Sequence, residues 1–313
     1  MKILITGGAG FIASHITDKY IESGHDVIIV DDLSTGKEKN IHPQARFYKA
    51  DIRDKSKMEE IFRKEKPDVL NHHAAQMDVR KSVADPKFDA EVNLIGLINL
   101  LEAGRVNGLK KVIFASSGGV VYGDAEVLPT PETYVPLKPL SPYGVAKLAS
   151  EYYLYFYYQT YGIKFTALRY ANIYGPRQNP WGEAGVVAIF TKKLLDGEVP
   201  VINGDGLQTR DYTFVGDVAE MNRLVLEKDF VGEVNVGTGI ETNVNELFRD
   251  LSLIISPGKE ELHGPAKMGE QKRSLLDASL AAKEFGWKPQ VKLHDGFKET
   301  VVFFRREKES ETK

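Results

Sequence analysis

The stretch Lys2-Ile-Leu-Ile-Thr6, followed by Gly7-Gly-Ala-Gly10-Phe-Ile-Ala13, decides the fold of this chain. Its apolar run predicts a buried strand, and the periodic segment Phe11–Ser23 predicts a helix directly after the turn. Gly7 permits a tight turn between the two, and Gly10 lets a ligand approach the backbone closely. A strand, a glycine-rich turn and a helix in this order predict a site for a pyrophosphate at the helix N-terminus.

A second apolar strand, Val27–Val30, ends in the two acids Asp31 and Asp32. An acid about 20 residues beyond such a turn hydrogen-bonds the diol of an adenosine ribose. The same carboxylate would repel a 2′-phosphate, so the sequence favours NAD over NADP as the cofactor.

Strand and helix signals alternate through roughly the first half of the chain, with further strands predicted at Arg46–Lys49, Val69–His72, Val112–Ser116 and Phe165–Arg169. This alternation predicts the α/β class, a doubly wound parallel sheet of the Rossmann kind, with a smaller mixed α/β substrate domain. We expect the dinucleotide domain at residues 1–171, with a return at about 212–238, and the substrate domain at 172–211 and 239–313. The polar tail Arg305–Lys313 should be frayed.

Bulk composition excludes several classes of function. Lys plus Arg total 41 against 44 for Asp plus Glu, a net charge of -3, which offers no basis for binding nucleic acid or an acidic membrane. No window approaches the ~20 apolar residues that span a bilayer, and no secretion leader precedes the first strand, so we expect a cytoplasmic protein. The absence of cysteine excludes disulfides and thiolate nucleophiles. His72 and His73 lack an accompanying acid–histidine cluster, so no metal site is expected.

The segment Ser141-Pro-Tyr143-Gly-Val-Ala-Lys147 predicts the chemistry. Its proline suits a helix start, which puts Tyr143 and Lys147 on one helical face. We expect the ammonium, together with a positive nicotinamide ring, to lower the tyrosine pKa from its usual value near 10. A phenolate could then take a proton from a sugar hydroxyl while hydride leaves the same carbon. The plainer alternative is a solvent-facing pair, but the upstream strand ending in Ser116 and Ser117 favours catalysis.

The helix predicted at Tyr143–Tyr161 is unusually aromatic in its second half. Because it is apolar around most of its girth, it must bury more than one face, in a packed core or a subunit interface. We therefore predict a homodimer built on this helix and on the helix at Asn93–Val106. The aromatic residues are Tyr152, Tyr153, Tyr155, Phe156, Tyr157, Tyr158 and Tyr161.

Taken together, these features resemble the extended short-chain dehydrogenase/reductase family, and within it the UDP-glucose (UDP-galactose) 4-epimerase branch. The resemblance covers nearly the whole chain. Besides the glycine turn and the tyrosine–lysine pair, it rests on Asp31-Asp-Leu-Ser-Thr-Gly36, Ala50-Asp-Ile52, His73-Ala-Ala-Gln76, Asn93, Arg169-Tyr-Ala-Asn-Ile-Tyr-Gly175, Gly204-Asp-Gly-Leu-Gln-Thr-Arg210-Asp-Tyr212, Asp277-Ala-Ser279 and Gly286-Trp287.

The resemblance implies a tightly held NAD and a UDP-sugar substrate. Catalysis would fall to Tyr143, Lys147 and Ser117. Asn172, Arg210 and Lys267 would hold the diphosphate, although lysine lacks the bidentate fork of the arginine usual at that place. Ser274 would form the pocket wall near the C2 substituent of the sugar. The implied NAD-binding residues are Gly7, Gly10, Phe11, Ile12, Asp31, Asp32, Leu33, Ser34, Thr35, Gly36, Asp51, Ile52, His73, Ala74, Ala75, Gln76, Asn93, Ser116, Tyr143, Lys147 and Tyr170.

One departure from the family's pattern concerns the hydroxyl that assists the tyrosine. The family commonly has serine or threonine four residues before the tyrosine of the Val-Tyr-Gly segment, where this chain has Gly118. Ser117 or Ser116 substitutes for it, a water does, or Tyr143 works alone.

The activity that the resemblance implies is reversible inversion at C4 of a UDP-hexose, plain or N-acetylated, through a transient 4-keto sugar. A 4,6-dehydratase would need an Asp-Glu pair where this chain has Gly118-Gly119-Val120, so that reaction is discounted. A sugar-acid decarboxylase or a different UDP-sugar epimerase remains open. A catalytically silent NAD-binding regulator is a third alternative, and the intact tyrosine and lysine argue against it.

Overall fold

The computed structural model describes residues 1–181, 185–266 and 271–311. Within these ranges the strands are β1 (Lys2–Thr6), β2 (Asp26–Asp31), β3 (Arg46–Lys49), β4 (Val69–His72), β5 (Lys111–Ser117), β6 (Lys164–Tyr170), β7 (Asn172–Tyr174), β8 (Val201–Asn203), β9 (Thr209–Phe214), β10 (Gly232–Val236), β11 (Glu241–Asn243), β12 (Leu262–Gly264) and β13 (Arg273–Ser274). The helices are α1 (Phe11–Glu22), α2 (Lys55–Glu65), α3 (Val79–Ala84), α4 (Pro86–Ala90), α5 (Gly96–Val106), α6 (Gly118–Val121), α7 (Pro142–Tyr161), α8 (Val186–Leu195), α9 (Val215–Leu226), α10 (Val244–Ile255), α11 (Ser279–Phe285) and α12 (Leu293–Glu311). A 3-10 turn lies at Glu38–Asn40, and a π-helical turn at Glu91–Ile95 joins α4 to α5.

The large sheet is parallel and has the strand order β3-β2-β1-β4-β5-β6-β10. From β1 the chain winds outward through β2 to β3, and it then returns to place β4 on the other side of β1. Ligands of open α/β sheets bind at such a switch point, outside the carboxyl ends of the strands. The predicted doubly wound fold is confirmed.

Helices cover both faces of this sheet because successive side chains of a strand point to opposite faces. Ile3 and Ile5 of β1 belong to one buried cluster with residues of α1 and α9. Leu4, between them, belongs to a second cluster with residues of α2 and α5. Each such fully buried aliphatic side chain contributes about 1.5–3 kcal/mol to the hydrophobic stabilisation.

A smaller sheet has β9 at its centre, paired with β7, β11 and β13. Its aromatic core contains Tyr174, Phe214, Phe248 and Phe297, contributed by β7, β9, α10 and α12. After β9 the chain crosses back, since α9 packs on α1 and β10 extends the large sheet. Within the described ranges, no helix is long and apolar enough to cross a membrane.

Candidate active site

The glycine turn lies between β1 and α1, at the switch point of the large sheet. Gly7 has a left-handed φ of 71°, and its N–H donates to the carbonyl of Val30 at 2.8 Å. A Cβ at Gly7 would lie 2.8 Å from the amide nitrogen of Ala74. Gly10 is the N-cap of the helix. The first intrahelical hydrogen bond runs from the N–H of Ser14 to the carbonyl of Gly10. The three amides between them precede any intrahelical bond, so the helix presents free donors there.

Two carboxylates lie at the end of β2, beside this turn. Asp31 is buried and accepts hydrogen bonds from the N–H groups of Ala9 (3.0 Å) and Leu33 (2.8 Å). Burial raises the pKa of Asp31, and these two amides act against that shift. Asp32 is exposed and accepts from the N–H and hydroxyl of Ser34. The Ala9 bond ties the first acid directly to the glycine turn.

The segment after β4 is held to the π-helical turn by a buried carboxylate. The Gln76 N–H donates to Asn93 Oδ1 (3.1 Å), and Asn93 Nδ2 donates back to the Gln76 carbonyl (3.0 Å). Both side-chain amides also donate to Asp89 Oδ1, at 2.9 and 3.0 Å. Sequence reasoning missed Asp89, whose available signal was its place one helical turn before Asn93. It is 1% exposed.

The two histidines at the end of β4 are neutral and engaged in hydrogen bonds. His72 Nδ1 lies 2.6 Å from the Thr6 hydroxyl, and His73 Nε2 lies 3.1 Å from the Tyr170 hydroxyl. Burial, and secondarily the charge of Lys147, lowers the pKa of both, that of His73 to about 3. No group of three or more metal-binding side chains occurs in the part of the chain that the structure describes.

Tyr143 and Lys147 lie in the first turns of α7, as predicted from the proline. Ser141 caps the helix, and its hydroxyl accepts from the Gly144 N–H at 3.1 Å. The Lys147 ammonium donates to the Ala115 carbonyl of β5 (2.7 Å) and lies 5.6 Å from the centre of the Tyr143 ring. Burial lowers the pKa of Lys147 to about 8. The negative charges of Asp89 and Glu151 act against this lowering of the pKa.

The pKa of Tyr143 is set first by its burial. Burial raises this pKa, and the nearby carboxylate of Asp89 raises it further. Lys147 alone therefore does not turn Tyr143 into a phenolate. The additional charge that the prediction invoked, a positive nicotinamide ring, is what remains to favour the ionised form.

The two serines at the end of β5 occupy different environments. The Ser116 hydroxyl is buried and donates to Glu151 Oε1 at 2.6 Å. Ser117 is half-buried and stands at the N-cap of α6. At Gly118 a Cβ would lie 2.6 Å from a methyl group of Leu276, so a larger side chain there would have to displace the Leu276 side chain.

The smaller sheet brings together three of the four predicted substrate residues. Asn172 of β7 is paired in register with Tyr212 of β9, and Arg210 of β9 is paired with Ser274 of β13. The Arg210 guanidinium donates to the Thr209 carbonyl, and Ser274 is buried. The fourth predicted residue, Lys267, lies outside the described residues.

The predicted NAD-binding residues follow the carboxyl ends of β1 to β6 or lie on the helices that pack there. Three further side chains of this set are engaged within the protein. Asp51 pairs with Arg53 at 2.6 Å, Ile52 is buried in the core, and the Tyr170 hydroxyl accepts from Asn222 Nδ2 at 2.8 Å.

A doubly wound parallel sheet, a glycine turn at its switch point and a tyrosine–lysine pair at the same edge define a dinucleotide-dependent enzyme of the short-chain dehydrogenase/reductase class. The model of the NAD dependent epimerase/dehydratase family matches residues 3–237. The chain belongs to this family, and the predicted family is confirmed.

Relatives of known name match almost the full length. The UDP-glucose 4-epimerase of Mycolicibacterium smegmatis is 44% identical over 312 residues, which cover 97% of this chain and 99% of that protein. The crystal structure of Thermotoga maritima UDP-glucose 4-epimerase with UDP-glucose is 49% identical, with a TM-score of 0.96 and coverage of 98% and 99%. The Thermus thermophilus UDP-glucose 4-epimerase complex with NAD is 43% identical, with a TM-score of 0.92 and coverage of 97% and 99%.

Proposed function

We propose that this protein is an isomerase that inverts C4 of a UDP-hexose, interconverting UDP-glucose and UDP-galactose with NAD as cofactor. The observation that carries the proposal is the Tyr143–Lys147 pair at the switch-point edge of the sheet. Relatives that share the fold over almost their whole length bear the name of this activity. The product differs from the substrate only in configuration, so no external reductant is consumed.

The residues of the glycine turn fit a dinucleotide. The space beside Gly7 admits no Cβ, and the three amides at the start of α1 present donors at the positive end of the helix. Asp31 is held against the turn, where a carboxylate binds a ribose diol. NAD held there would supply reversible hydride transfer at C4 of the sugar.

Proton movement falls to the residues of α7 and β5. Tyr143 takes the proton of the 4-hydroxyl as C4 becomes a ketone, and it gives the proton back to the same oxygen when C4 is reduced on its other face. Lys147, anchored to the Ala115 carbonyl, holds a positive charge beside the phenol. Ser117 is the hydroxyl that we propose to bond the reacting oxygen, because that of Ser116 is engaged with Glu151.

We propose that residues 1–171 and about 212–238 hold NAD and that 172–211 and 239–313 hold the nucleotide sugar. Asn172 and Arg210, on neighbouring strands of the smaller sheet, would bind the diphosphate together with Lys267. Ser274 would wall the sugar site, and its small side chain would admit an N-acetylated sugar.

A homodimer is proposed on the surface of α7 and of the helical segment Asn93–Val106, which comprises the end of the π-helical turn and α5. Val145, Tyr152 and Phe156 form a stripe at helical spacing and are 52%, 66% and 48% exposed. Tyr153 of α7 and Ile95 of the π-helical turn add to this apolar surface. Such a contiguous apolar face marks a protein interface. Light scattering at micromolar concentration should give twice the chain mass of 34.9 kDa, and the monomer mass would refute the proposal.

Tightly held NAD is tested on the same purified protein, by releasing the nucleotide on denaturation and measuring it. A cytoplasmic location is proposed on the sequence alone and is tested by fractionation of cells that express the chain.

The decisive experiment is incubation with a panel of UDP-hexoses without added NAD, followed by chromatography of the products. Formation of UDP-glucose from UDP-galactose supports the proposal. Release of carbon dioxide from a UDP-sugar acid would instead indicate a decarboxylase. Bound NAD without any product would indicate a silent regulator.

A further inference from the structure

A buried ion pair lies directly behind the catalytic residues. Glu151 follows Lys147 by one turn of α7, and Arg169 lies on β6. The guanidinium donates to both carboxylate oxygens, at 3.0 and 2.7 Å, and the side chains are 3% and 4% exposed. Burying two charges is costly unless every donor and acceptor finds a partner. The hydrogen-bond partners of Glu151 and Arg169 therefore show which parts of the protein this ion pair joins.

On one side the pair fixes the end of β5. Glu151 Oε1 accepts from the Ser116 hydroxyl at 2.6 Å, while the preceding residue, Ala115, accepts from Lys147 at 2.7 Å. Two consecutive residues of the strand are thus tied to one turn of α7. Because side chains alternate along a strand, turning Ser116 toward Glu151 leaves Ser117 on the opposite face.

On the other side the pair reaches a different part of the chain. Arg169 Nη1 donates to the Tyr122 hydroxyl (3.0 Å), which donates to Asn235 Oδ1 (2.8 Å). The amide of Asn235 then donates to the carbonyls of Thr130 (2.9 Å) and Asp277 (3.0 Å). A continuous series of hydrogen bonds, buried as far as Asn235, therefore runs from the catalytic helix to the backbone at Asp277.

The segment at the far end of this series of hydrogen bonds contains the proposed pocket wall. Ser274 lies three residues before Asp277. Between them, Leu276 is fully buried against Gly118, the residue that follows Ser117. The end of β5 and the pocket wall therefore meet through a packing contact as well as through hydrogen bonds.

We propose that Glu151 and Arg169 are positioning residues, which hold the end of β5 against α7 and, through Tyr122, hold the pocket wall in register with both. The inference rests on the proposed function, because Glu151 and Arg169 would connect the proton-transfer residues to the wall of the sugar site. Neither residue touches substrate or cofactor in this scheme. Their effect is on geometry, to which reaction rates are sensitive.

Two conservative changes cut the link without removing the ion pair. Tyr122→Phe deletes the connecting hydroxyl, and Arg169→Lys keeps the charge beside Glu151 but loses the planar fork that reaches Tyr122. Tyr174→Phe is the matched control. It too deletes the hydroxyl of a fully buried tyrosine, one that donates to the Leu293 carbonyl and lies in the aromatic core of the smaller sheet.

For the purified protein with its NAD, kcat from UDP-galactose to UDP-glucose should fall between about tenfold and a hundredfold in each link variant. KM, NAD per chain and the turnover of the control should stay within about twofold of the unaltered protein. The double variant should be no slower than the slower single variant, because both changes break one link. Unchanged kcat, or kcat and NAD content falling together, would overturn the inference.

Hydrogen exchange separates this inference from the proposed function. In Tyr122→Phe, backbone amides of residues 273–279 should exchange about tenfold faster than in the control, with no substrate present. Exchange at the control's rate would overturn the link itself. Absence of epimerisation by the unaltered protein would instead overturn the proposed function.

Discussion

Replacing Gly7 with alanine tests the glycine turn most directly. The left-handed backbone at Gly7 costs an alanine about 1–2 kcal/mol. The new Cβ would also lie 2.8 Å from the Ala74 nitrogen and 2.9 Å from the carbonyl carbon of His73. These are backbone atoms at the end of a buried strand, which yield less readily than a side-chain tip, so overpacking adds about 1–3 kcal/mol. We expect the free energy of unfolding to fall by about 2–5 kcal/mol.

Two further glycines divide this loss into its causes. Gly24 has a φ of 80°, and a Cβ there would have nothing within 4 Å, so Gly24→Ala should lose only the backbone term of about 1–2 kcal/mol. Gly10 has a φ of -78°, which alanine adopts freely, and its Cβ would meet only the Gly7 carbonyl oxygen, at 3.0 Å. Gly10→Ala should therefore fold, while its methyl group occupies the proposed pyrophosphate position.

Urea unfolding gives the stabilities of the three variants, and isothermal titration of NAD-stripped protein gives the affinities. The Kd of Gly10→Ala for NAD should rise at least tenfold, about 1.4 kcal/mol. If Gly7→Ala is no less stable than Gly24→Ala, the inference that a Cβ at Gly7 would be overpacked against the backbone after β4 is wrong. If Gly10→Ala binds NAD as tightly as the unaltered protein, the pyrophosphate does not lie at this turn.

Four other predictions concern catalysis and specificity. Tyr143→Phe should cut turnover about 10²–10⁴-fold with NAD content unchanged, and near-native turnover would sink the acid–base assignment. Ser117→Ala should cost more turnover than Ser116→Ala, and equal, negligible losses would leave Tyr143 as the sole acid–base residue. Asp89→Asn keeps an acceptor oxygen for its two amide partners but removes a charge that raises the pKa of Tyr143, so the acid limb of kcat against pH should move to lower pH. An acid limb that stays in place or moves to higher pH contradicts that assignment. The unaltered protein should epimerise UDP-N-acetylglucosamine as well as UDP-glucose, with Ser274→Tyr suppressing only the former; turnover of plain sugars alone would mean that another residue closes the pocket.

The large sheet was predictable because each of its strands and covering helices shows a hydrophobic pattern within a short segment of sequence. The run Lys2–Thr6 and the helix that begins at Phe11 carry the apolar periodicity of a buried strand and its covering helix, and the structure has both. The strand bounds at Arg46–Lys49 and Val69–His72 also match the prediction. Burial on both faces leaves such strands continuously apolar, which a reader of the sequence can see.

The smaller sheet and the C-terminal helix were less predictable. Strands of two or three residues, such as Arg273–Ser274, carry too few positions to show a period, and they exist because Thr209–Phe214 offers them hydrogen bonds. The tail from Arg305 was predicted to fray, yet α12 extends to Glu311. Phe297 and Val301, buried earlier on the same helix, anchor it to the core, and the tail continues from that anchored portion.

The proposed catalytic tyrosine and lysine, the glycine turn and the acid at the end of β2 were evident from the sequence. The chemistry of each resides in its residue type and in spacings of a few residues. Tertiary structure alone decided the environments that tune them. Asp89, Glu151 and Arg169 come from separate segments that meet only when β4, β5 and β6 pack against α4 and α7. Burial in that assembly raises the pKa of Tyr143, and the same packing engages the hydroxyl of Ser116. Desolvation and long-range hydrogen bonds depend on which groups surround a side chain in space, and that information is absent from its neighbours along the chain.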